Sequence, residues 1–84
     1  MTSMTLSDLV QARLADLYCD PNLSRFAEQE AQRLIHAIGL LHPMTLPAAV
    51  KVACYVGYVD SREVEAVALM LFMQLARGRE RLAA

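Results

Sequence analysis

Four side chains in this sequence have the chemistry of a nucleophile or a base: Cys19, Cys54, His36 and His42. A thiol–imidazole pair needs the two groups in contact and a third group to orient the base. Nothing in the spacing assembles such a unit. Small cysteines are commonly inert packing residues, and a histidine close to a helix end is commonly just solvated. Metal binding has no better footing. His36 and His42 are six apart, so they do not share a helix face, and Gly39 interrupts any helix between them. No ligand spacing matches a zinc site. There is no glycine-rich phosphate loop and no short motif with a known mechanism. The expectation is a non-enzymatic chain with no catalytic, cofactor-binding or metal-binding residue.

Nucleic acid binding asks for a basic field, and the net charge here is −1. Ala53 and Gly57 lie four apart before a segment opening at Asp60, a loose likeness to a degenerate helix-turn-helix. The recognition helix would then begin "SREVEAVALM", with Glu63 and Glu65 against one Arg62 and an apolar continuation. That surface fits a phosphate-lined groove poorly. A DNA-binding regulator therefore stands as the alternative, and nucleic acid is not the expected partner.

The residues that remain are apolar or amphipathic ones with an affinity for interfaces. Met70 and Met73 flank Phe72 within "VALMLFMQLA", residues 67–76, whose single polar side chain is Gln74. Methionine fills gaps in cores and is also frequent on adaptable binding surfaces. Tyr55 and Tyr58 combine an apolar body with a polar tip, as interface residues often do. Tyr55, Tyr58, Val67, Met70, Phe72 and Met73 form the expected protein-binding set.

Four apolar-periodic segments must position these residues, expected as helices over 6–19, 21–39, 46–58 and 61–77. Thr5 with Asp8, and Asp60 with Glu63, are variants of the capping box. Asp20-Pro21 ends one helix and starts the next, with Asp as cap and Pro in the first turn. The first helix lines up Leu6, Leu9, Val10, Leu14, Leu17 and Tyr18; the second lines up Leu23, Ala27, Ala31, Leu34, Ile38 and Leu41, widened by Phe26 and Ile35. The third segment is ambiguous. Val50, Val52, Val56 and Val59 favour a strand, yet Thr45 is a good cap, Pro47 suits a first turn, and a lone strand has nothing to pair with. Helix is the favoured reading. Gly39 and Gly78 are the expected terminators, while Gly57 either ends the third helix or lets another helix approach closely. The fold class is all-α: a small antiparallel bundle of four helices, the third and fourth most buried. The chain reads as one domain, 1–84, with tails at 1–4 and 79–84.

Composition sharpens the interface reading. Eighty-four residues bury a small core, yet 56% are hydrophobic, above the usual 45–50%. From Ala66 to Ala76 the fourth helix lacks a polar face, and such a helix needs neighbours on most sides. The expectation is that three sister helices cover only part of it and a second chain covers the rest, giving a homodimer when the protein is alone. Residues 34–59 carry Lys51 as their one formal charge but also two glycines and two prolines, so no membrane span is expected. The start, "MTSMTLSDL", has no signal-peptide pattern, and two cysteines without CxxC spacing read as reduced thiols in a cytoplasmic protein. Seven arginines against one lysine suggest a GC-rich bacterial or phage gene. The resulting expectation is a protein-binding module of the adaptor, co-chaperone or inhibitor kind, with a structural homo-oligomer as a further alternative.

Overall fold

The computed structural model describes residues 6–83, with side chains over 8–77. Four helices follow one another, with no strand among the described residues: α1 Leu6–Tyr18, α2 Pro21–Ile38, α3 Leu46–Val56 and α4 Ser61–Ala83. The third segment is helical despite its valines, and residues 57–60 form the turn after it.

Local chemistry explains most of the boundaries. Asp20 has extended backbone (φ −116°) and its carboxylate accepts from the Leu23 backbone N–H at 3.2 Å, while Pro21 occupies the first turn. Thr45 Oγ1 accepts from the Ala48 N–H at 3.3 Å, with Pro47 in the first turn of α3. Asp60 Oδ1 accepts from the N–H groups of Arg62 (2.8 Å) and Glu63 (3.3 Å). Each carboxylate or hydroxyl satisfies donors that a helix start leaves without partners. The Thr5 cap lies outside the described residues.

Gly39 ends α2 as expected, and of the two readings of Gly57 the structure takes the helix end. Gly39 (φ 74°) and Gly57 (φ 115°) adopt the left-handed conformation that side chains disfavour. Behind them the N–H groups of Leu40 and Tyr58 donate to the carbonyls of Ile35 (3.0 Å) and Ala53 (3.3 Å), the six-to-one bond of the Schellman motif. Gly78 does not stop α4, which runs to Ala83, beyond the expected end at 77. A glycine costs a helix only about 1 kcal/mol, too little to end one by itself. The turn at Gly39 also accounts for Ile38 and Leu41, both expected on the inner face of α2 and both exposed, at 52% and 77%. The helical stripe ends with the helix, and Leu40 and Ile35 pack against the core instead.

The arrangement is a hub. α4 lies against α1, α2 and α3; α1 also lies against α2. Among the described residues, the α3 backbone approaches α4 and no other helix. Arg62 reaches Asp20 at 3.4 Å, and Gln74 Nε2 donates to the Glu28 carbonyl at 3.2 Å. The two ties advance in the same direction along both helices, so α2 and α4 run parallel where they touch. Alanines make the close approach possible: Ala27 and Ala31 on α2, and Ala49 and Ala53 on α3, are fully buried at four-residue spacing. Six consecutive residues of α4, Ala66 to Leu71, are buried as a result. α3, expected with α4 to be among the most buried helices, buries Ala49 and Ala53 and leaves Pro47, Lys51, Cys54 and Tyr55 exposed.

Candidate functional site

Val67 and Met70 are 0% exposed in the single chain. They are core residues with no surface to offer a partner, and the first part of the α4 run, through Leu71, is covered by its own sister helices. For that part of the run no second chain is needed, contrary to expectation. Phe72 and Met73 are half-buried and pack against the same core. Tyr55 stands fully out at 93%. Tyr58 is half-buried, its ring edge-on to Phe26 with centroids 6.1 Å apart. The expected set therefore does not form one patch.

The surface that is open and apolar lies elsewhere. α1 and α3 both rest on α4 without their backbones approaching each other, which leaves a groove of about 590 Å³ between them. Leu9 forms the α1 wall; Leu46, Val50 and Cys54 form the α3 wall; Val64, Ala68 and Leu69 form the floor; Tyr58 and Val59 close one end. Leu46, Val50 and Cys54 recur every four residues, so one stripe of α3 faces the groove. Its chief charged lining is self-neutralising: Arg13 Nη1 donates to Glu65 Oε1 at 2.5 Å. Leu9 is 44% exposed and Val59 is 95% exposed, so the mouth is apolar as well as the floor.

Burial raises the Tyr58 phenol above its ordinary pKa. The Arg33 guanidinium opposes that shift and Glu30 reinforces it. The hydroxyl is enclosed and makes no hydrogen bond of good geometry. Arg33 is itself held charged by Glu30, to which its Nε donates at 2.6 Å.

The candidate catalytic residues are dispersed. Cys54 opens into the groove, whereas His36 lines a separate, polar cleft with Glu28, Gln32, Gln74 and Arg77. Cys19 and His42 are exposed, at the end of α1 and in the linker before α3. Both thiols are accessible rather than packed. Among the described residues no cluster of three or more His, Cys, Asp or Glu side chains has metal-site geometry, and no helix is long and apolar enough to cross a membrane. The helix required to read DNA, α4, is buried from Ala66 to Leu71, whereas a recognition helix must project.

Leu9, Leu46, Val50, Val59 and Val64 are the groove residues that spacing alone missed. A signal existed for two of them. Leu9 makes the α1 stripe wider than one contact needs, and Val59 follows the helix stop at Gly57. Comparison with family models, with curated proteins and with solved structures gives no match.

Proposed function

We propose that this chain is a non-enzymatic protein-binding module that receives an apolar helical segment of a protein partner in the groove between α1 and α3. The observation that supports it is the groove itself: two helices resting apart on a third, with apolar walls, floor and mouth. A helix laid across α4 between them would complete the packing around it, which is the helix-in-groove mode of recognition. The self-neutralised Arg13–Glu65 pair favours a partner with an uncharged contact stripe. Action in the cytoplasm as an adaptor, co-chaperone or inhibitor, in a bacterium or phage, is part of the same proposal and rests on composition.

Leu9 is the residue for the test, because it is half in water already and its replacement leaves the core intact. Immobilised wild-type protein and a Leu9→Glu variant of equal helicity are exposed to the same bacterial lysate. Proteins retained by the first and lost from the second are expected. An identical retained set would place binding outside the groove.

A further inference from the structure

We propose that α3 is a gate on the groove, held open by the Tyr58 ring where it rests on Phe26 of α2. The groove is the one read above as a partner site, but the proposal concerns its width and is tested with no partner present.

Side chains set the position of α3 around the hub. Among the described residues its backbone approaches α4 and no other helix, and the residues it buries completely there are Ala49 and Ala53. Methyl groups on one stripe meet α4 closely but interlock little. They fix the separation of the two helices more firmly than the angle of α3 about α4, and packed helices with such contacts shift by sliding. Tyr58, just past the Gly57 stop, adds a tie to α2. Its ring stands edge-on to Phe26, with centroids 6.1 Å apart and planes at 88°. Its enclosed hydroxyl sits beside Arg33 and Glu30 of the same helix. The same side chain lines one end of the groove. The end of α3 is therefore tied to α2, and the gap is left on the α1 side.

That gap needs a tie to persist. Leu9 on α1 confronts Leu46 and Val50 on α3 across the open groove, and apolar walls free to meet do so and shed their water. The segment that carries α3 is free to bend at both ends. Gly39 and Gly57 have left-handed φ, and neither has a neighbour within 4 Å of the place a side chain would take. The backbone there turns without displacing packed atoms, as hinge positions at the ends of elements do. With Tyr58 released, α3 rolls over α4 toward α1, Leu46 and Val50 meet Leu9, and the groove closes.

Nitroxide labels on Ala12→Cys of α1 and Lys51→Cys of α3, both exposed positions, measure the gap by pulsed electron resonance in a Cys19→Ser, Cys54→Ser background. One narrow distance distribution is expected for this parent, and again for Tyr58→Phe, which keeps the ring. Tyr58→Ala should shorten the distance by roughly 5 Å, half a helix diameter. Phe26→Leu weakens the tie from the α2 side, at a residue outside the groove lining; it should shift the distance the same way, and it decides the matter if Tyr58→Ala loses helicity. The native thiols give a second reading. Cys54 faces the groove and Cys19 does not, so in the Tyr58→Ala chain the reaction of Cys54 should slow several-fold against that of Cys19. An unchanged distance in the folded variants overturns the proposal. A longer or broadened one does so too, because the ring would then hold α3 on rather than apart. A shift already present in Tyr58→Phe overturns the ring as the tie. None of these results bears on the partner reading, which stands or falls with the Leu9→Glu capture.

Discussion

At Asp20 one carboxylate serves two helices. One oxygen caps α2 at the Leu23 N–H, and the other meets Arg62 near the start of α4. The two contacts differ in weight. A cap contributes about 1 kcal/mol, while an exposed ion pair contributes about 0–1 kcal/mol. Asp20→Ala should therefore lower stability by about 1 kcal/mol, and Arg62→Ala by no more than about 0.5 kcal/mol, as read from urea midpoints. Asp60→Ala, which removes two acceptor contacts at the start of α4, should cost about 1 kcal/mol as well. Tyr58 behaves differently. Its phenol is raised by burial, so the folded state holds the neutral form more firmly than the unfolded chain does. That contribution is complete below about pH 10, the ordinary tyrosine value, and is lost as pH climbs through the folded value. Tyr58→Phe also removes an enclosed hydroxyl without a well-formed hydrogen bond, so it should be neutral or stabilising near pH 7. Denaturation followed from pH 8 to 11 should show a shallower alkaline loss in the variant than in the wild type.

Among the elements, α4 carries the fold. Its fully buried Met70 and Leu71 make truncation expensive: Met70→Ala or Leu71→Ala should cost about 2–5 kcal/mol, and Met70→Glu should abolish cooperative unfolding because a lone carboxylate has no partner there. Ala53→Leu should cost about 1–3 kcal/mol by forcing α3 off α4. Thermal melts of these variants would check the ranking. The elements also mark what a reader of the sequence sees. Asp20, Thr45 and Asp60 announced helix starts because capping is settled within four residues. Gly39 announced a stop for the same reason, whereas Gly57 left open a stop or a close helix approach. Gly78 misled because helix continuation weighs its whole surroundings against one weak local preference. The apolar run at 67–76 was visible, but its covering was not. That depends on the alanines of α2 and α3 meeting α4 closely, a relation between distant segments. The groove was hidden on the same ground, since it exists where α1 and α3 fail to meet.

The whole molecule is flat, 43 × 34 × 22 Å, and its radius of gyration of 12.8 Å exceeds the roughly 11.8 Å expected for its length. Both thiols are exposed, Cys54 at the groove and Cys19 just past the end of α1, so both should react with a thiol reagent in the native state without denaturant. Changing both to serine should shift the thermal midpoint little, as exposed substitutions do. Protection of either thiol at high protein concentration, measured by reaction rate, would report what covers it.

Because the hub is the fourth helix in chain order, the first three are made before the element they pack on exists. Until residues 61–75 have left the ribosome, the one helix pairing available is α1 with α2, and α3 has nothing to lie against. At that stage Ala49, Ala53 and the part of the α2 stripe that packs on α4 have no helix to cover them. A fragment of residues 1–60 should accordingly show little cooperative melting by circular dichroism, and adding the α4 peptide, residues 61–84, in trans should restore it.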